Sequence, residues 1–193
     1  MILGTFVKTN FNSTTFNMKS KTVKLLIIIG LLPLLCFSQE NNFRIHSISA
    51  GLGYIDFTSK EINSSGGLNF VADFTTNYNE NLISVYFNIG GAVDILSTED
   101  GEASEINITY GREWDLSDHM KFEAHAGIGY FKWGYASAST NYLLENETTV
   151  GFPVRAKLIY YFGEHFGVGL NPNINFNSLA ISYSADFILQ YKF

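Results

Sequence analysis

From Phe43 to Phe193, apolar side chains recur at every second position in one stretch after another, and this period of two constrains the chain more than any other feature. The final stretch, Leu179 to Phe193, shows it without a break. Leu179, Ile181, Tyr183, Ala185, Phe187, Leu189, Tyr191 and Phe193 fall on one face, and Ala180, Ser182, Ser184, Asp186, Ile188, Gln190 and Lys192 on the other. Seven more stretches read the same way: 43–57, 67–77, 82–96, 103–114, 119–135, 147–162 and 165–177. Each is at least as long as the roughly 9–11 residues with which a tilted strand crosses a bilayer.

The connections alternate in length. Asn79–Asn81, Asp115–Asp118 and Gly163–Glu164 are tight and polar, whereas 58–66, 97–102 and 136–146 are longer; the link near Asn177 and Ser178 is short and departs from the trend. Short turns at one end and longer loops at the other are the pattern of an outer-membrane barrel. The aromatics of the apolar rows gather at two levels. Tyr54, Tyr130, Phe152, Phe176 and Tyr183 lie toward the loops; Trp114, Phe122, Tyr160, Phe162, Phe166, Tyr191 and Phe193 lie toward the turns. Two such belts are expected where a barrel meets two headgroup layers. The expected fold is therefore all-β, an eight-stranded antiparallel up-and-down transmembrane β-barrel. A soluble sandwich would alternate too, but would need no belts. A soluble barrel around an apolar ligand would turn the apolar face inward.

Residues 18–38 carry Lys19, Lys21 and Lys24, then an apolar run from Leu25 to Leu35, then Cys36-Phe37-Ser38. That run is too short to span a bilayer and suits a secretory signal cleaved before Gln39. Residues 1–17 read as an over-long gene start, or as the lead of a longer signal, and 39–193 as the barrel. A lipid anchor on Cys36 is the alternative, but Leu35 stands where a small residue is usual. Without residues 1–38 the chain keeps 8 basic against 18 acidic residues, a formal charge of −10. Nucleic-acid binding is excluded on that balance, because phosphate contacts need clustered Lys and Arg.

Residues 39–193 resemble the small outer-membrane β-barrels of Gram-negative bacteria, of the outer membrane protein A and X type. Cys36-Phe37-Ser38 before Gln39 is similar to the signals of secreted Bacteroidota proteins. The row Phe187, Leu189, Tyr191 and Phe193 matches the terminal signal read by the barrel-assembly machinery. The resemblance implies an outer-membrane location, with membrane lipid and that machinery as partners. It brings no catalytic residue and leaves any surface partner open.

On this alternation the lumen holds Asp73, Asp94, Glu105, Glu113, Glu123 and Asp186 with Lys121, Arg155, Lys157 and Lys192, and His125 nearby. Buried charges persist when they are paired and hydrogen-bonded, so the expectation is a salt-bridged plug; a narrow ion path is the alternative. Lys157 is expected level with His125 and diagonal to Glu123, with Arg155 reaching toward Asp73 or Asp186. Lumen glycines such as Gly129 and Gly151 are expected to make room for these long side chains. Lipid-modifying barrels place a His and a Ser two residues apart, and no histidine here has that partner. His46 and Ser47 are expected on opposite faces. His125 with Glu123 is the one same-face His–carboxylate pair, and no serine is expected beside it. Thr98-Glu99-Asp100-Gly101-Glu102 could hold Ca²⁺ or be a solvated acidic loop. No cofactor motif is present. The expected role is structural or interactive, against a small channel or a lipid-modifying enzyme.

Overall fold

The structure, a computed structural model, describes residues 43–58, 66–92, 100–136 and 145–193. The expected gene start and export signal, and Asp94, lie outside the described residues. The strands are β1 (Phe43–Thr58), β2 (Gly67–Tyr78), β3 (Asn81–Ala92), β4 (Asp100–Asp115), β5 (Met120–Ala136), β6 (Glu145–Tyr161), β7 (Phe166–Asn177) and β8 (Ile181–Lys192). They form one closed barrel in sequence order. Every neighbouring pair is antiparallel, and β1 pairs with β8, so the sheet keeps no free edge. Phe193 N–H donates to the His46 carbonyl at 3.0 Å and secures that closure.

Local chemistry sets the turns. Asn79 and Glu80 both take positive φ (48° and 70°), the geometry of a two-residue hairpin turn that suits twisted strands. Between β6 and β7 the positive φ of 105° falls on Gly163, where a Cβ would be strained. Between β7 and β8 the Asn177 side-chain oxygen accepts from the N–H groups of Leu179 and Ala180, at 3.0 and 2.9 Å.

Alternation places the apolar rows outside. Leu52, Ile89, Ile108, Tyr130, Leu170, Phe187 and Leu189 are all more than half exposed, which suits a surface solvated by lipid. The turn-side aromatics make touching pairs: Trp114 with Phe122 at 5.8 Å, Phe166 with Tyr191 at 5.0 Å, and Tyr191 with Phe193 at 5.0 Å between centroids.

Two sequence expectations shift. A β-bulge between Ile45 and Ser47 inserts one residue into β1, so His46 and Ser47 both point inward and not to opposite faces. The register of β5 on β6 is two residues from the expected one. Strand β6 already pairs at Glu145 with Tyr135, which moves the centre of the hairpin and sets Lys157 directly opposite Glu123 and Arg155 opposite His125.

Candidate functional site in the barrel lumen

The lumen is filled in layers, and each layer handles charge differently. At the turn-side rim Lys121 bonds the exposed Asp115 at 2.6 Å across the β4–β5 turn. Just inside, Glu113 takes Lys192 at 2.7 Å and His46 at 3.1 Å. The bulge is what brings His46 here.

The middle layer is buried throughout. Lys157 lies 2.5 Å from Asp73 and 3.3 Å from Glu123, and Arg155 lies 2.9 Å from Asp73. All four side chains are at most 3% exposed. Around them, Gln190 donates to Glu123 at 3.1 Å and to the Tyr161 hydroxyl at 2.8 Å, and accepts from Lys157 at 3.2 Å. Ser84 donates to Asp73 and accepts from Arg155. The Arg155 guanidinium sits 4.3 Å from the centre of the Tyr86 ring, a cation–π contact in a dry site. Asp73 thus serves two cations, and Arg155 turns to it and not to Asp186.

Above this, toward the loops, are Glu105 and Asp186, which the sequence placed among the paired charges. Among the described residues no lysine, arginine or histidine nitrogen comes within 4.0 Å of either. Asparagine amides take the place of cations. Glu105 accepts from Asn88 at 2.9 Å, Asn107 at 3.0 Å, Asn173 at 3.1 Å, and Asn175. Asp186 accepts from Asn69 at 2.7 Å, Asn171 at 3.0 Å and, weakly, Ser184 at 3.5 Å. Asn69 also donates to Asn88 at 2.9 Å, linking the two groups. Gly129 and Gly151 face this layer as register partners, and a Cβ on either would overlap the oxygen of Asn107 or Asn175. These glycines therefore make room for amides and not for long charged chains. Toward the loops the lumen becomes apolar: Ile55, Phe57, Ala103, Phe131 and Trp133 cluster with Leu179, and the rings of Phe57 and Trp133 meet edge to face at 4.5 Å.

Three further arrangements bear on chemistry. His125 bonds Glu123 at 2.9 Å, and the nearest hydroxyl is Thr109, 3.5 Å from the other ring nitrogen. That distance is beyond a good hydrogen bond, and all three residues are buried, so the set reads as filling. His46, Glu113 and Glu123 offer three ligand atoms within 4.8 Å of one another, a set that could hold a transition metal. Lys192 and Lys157 already neutralise its two carboxylates. The acidic run 98–102 lies partly in β4, where Asp100, Gly101 and Glu102 pair with Ala136, Tyr135 and Gly134.

The fold and this charged interior define a small transmembrane β-barrel. No protein-family model matches the chain, and no curated relative matches it. Solved structures do. Neisserial surface protein A matches with a TM-score of 0.68 at 12% identity, over 79% of this chain and all of that one. Ail, the attachment invasion locus protein of Yersinia pestis, matches with 0.56 at 15% identity, over 78% and 99%. The N-terminal β-barrel domain of Pseudomonas aeruginosa OprF matches with 0.55 at 10% identity, over 78% and 99%. At these identities the likeness establishes the fold.

Proposed function

We propose that the chain is a bacterial outer-membrane protein, exported by residues 18–38, whose closed barrel anchors its loops at the cell surface for a structural or binding role and carries no catalysis. The observation that carries this reading is the middle layer. Arg155, Lys157, Asp73 and Glu123 are mutually paired across the lumen and are buried there. An ion would have to displace several charge-assisted bonds to pass, and the apolar cluster at Phe57 and Trp133 adds a second obstacle.

A likeness in fold to Ail, which has been solved with the heparin analogue sucrose octasulfate, raises a polyanion as a partner. The charge of this chain argues against it. The loop-side residues Glu99, Asp100, Glu102, Glu145 and Glu147 outnumber Lys60 and Lys132. A sulfated ligand would be repelled, and a neutral or cationic surface partner is favoured. Assembly is assigned to the outward row Phe187, Leu189, Tyr191 and Phe193, offered to the barrel-assembly machinery.

Membrane fractionation tests the proposal. The chain is expected in the outer-membrane fraction, with a tag placed in 136–146 open to labelling on intact cells. Deleting Phe193 is expected to lower the membrane yield more than synthesis. A periplasmic product, or a tag labelled only after lysis, would overturn the reading.

A further inference from the structure

The described lumen contains five carboxylates (Asp73, Glu105, Glu113, Glu123 and Asp186) and three permanent cations (Arg155, Lys157 and Lys192). All three cations serve the lower layers. The formal surplus of two negative charges therefore belongs to Glu105 and Asp186. Hydrogen bonds from neutral amides solvate a carboxylate but do not cancel its charge, and an uncancelled buried charge is costly.

The same layer has a surplus of acceptors. Each asparagine that turns its N–H₂ to a carboxylate turns its carbonyl away from it. The side-chain oxygens of Asn69, Asn107, Asn171, Asn173 and Asn175 are without a partner; the unpartnered hydroxyls of Ser182 and Tyr86 can donate to two of them at most, which leaves three acceptors over. All five asparagines are at least 97% buried. Water could donate to them, but water carries no charge. A bound cation meets the acceptor surplus and the charge surplus together.

We propose that this asparagine-lined layer is a binding site for a hard divalent cation of the Ca²⁺ type, held by asparagine side-chain oxygens and Asp186, with Glu105 supplying charge through its amides. An all-oxygen set without sulfur or imidazole selects hard cations. The roles of the two acids differ by their hydrogen bonds. The two oxygens of Glu105 share four amide donors, which fills a carboxylate's capacity. Asp186 has two close donors and one distant hydroxyl, so it retains lone pairs for a metal. Amides polarised between anion and cation are stronger partners to both. The apolar cluster lies on the loop side of this layer, so the ion is taken up as the barrel folds.

The test is to refold the full chain into detergent with Ca²⁺ or with EDTA, and to measure retained radioactive Ca²⁺ and the temperature at which the folded band is lost on gels. Wild type is expected to retain Ca²⁺ saturably and to unfold at a higher temperature with it. D186N and E105Q are each expected to weaken retention at least about tenfold, the scale typical of altered metal-site partners. N173A keeps both acids and removes one acceptor, and is expected to weaken retention as well. The loop variant E99Q/D100N is expected to retain Ca²⁺ like wild type. Absence of retention by wild type would overturn the proposal, since protons and water would then fill the layer. Retention unchanged in D186N, or lost in the loop variant, would overturn it in favour of adsorption to surface acids.

Discussion

The two halves of the lumen bury carboxylates by opposite means. In the middle layer Asp73 and Glu123 face Arg155 and Lys157 at 2.5–3.3 Å, charge against charge. In the layer above, Glu105 and Asp186 are held by asparagine amides with no cation beside them. The first arrangement is internally balanced, and losing Asp73 leaves Arg155 with no anion. The second is solvated but not balanced, so its acids can be neutralised without orphaning a cation. Burial alone therefore does not say what a lumen charge does; its partners do.

The largest expected effect comes from breaking the balanced layer. Asp73→Asn leaves Arg155 with no anion and Lys157 with Glu123 alone, and is expected to cost about 3–5 kcal/mol in refolding titrations into lipid vesicles. Glu105→Gln, measured in EDTA, is expected to cost less, about 1–3 kcal/mol, because its N–H₂ leaves two asparagine amides without an acceptor but no cation without an anion. Equal losses from the two changes would erase the distinction between the layers. A third environment has neither cation nor amide. Ala126 lies on the outer face, and Ala126→Arg is expected to cost about 2–4 kcal/mol toward the bilayer midplane. A cost near zero would mean that this face does not meet lipid.

The pairing itself is sharpened by a double-mutant cycle. Lys157→Met with Glu123→Gln is expected to cost less than the sum of the singles, with a coupling of about 0.5–3 kcal/mol. Additive losses would show that the 3.3 Å contact carries no coupling. The smallest effect is expected at the rim. Arg112 and Glu80 pair at 3.0 Å with both side chains more than half exposed. Removing either is expected to cost no more than about 1 kcal/mol, and less in high salt.

Much of this was legible in the sequence because lipid and lumen impose opposite solvents on alternate residues. Ile106 and Ile108 against Glu105 and Asn107 already assign their faces, and runs of that kind yield the strands and their inner residues. What was not legible depends on register or on distant strands. The bulge at His46 involves one extra residue in Arg44-Ile45-His46-Ser47, where no glycine marks it. The two-residue error at Lys157 came from placing the start of β6 at Glu147 and not Glu145. Asn173 and Asn175 read as an ordinary polar face, since Glu105 lies 68 and 70 residues away in sequence. A donor set assembled across the barrel leaves no local pattern to read.

Conductance across a planar bilayer tests the central claim most directly. The wild-type barrel, with the Asp73, Glu123, Arg155 and Lys157 layer intact, is expected to give no steady single-channel current, whereas Asp73→Asn, where it still inserts, is expected to give flickering leak as Arg155 loses its anion. Steady, sizeable current from wild type that is unchanged by Asp73→Asn would contradict a lumen closed by ion pairs.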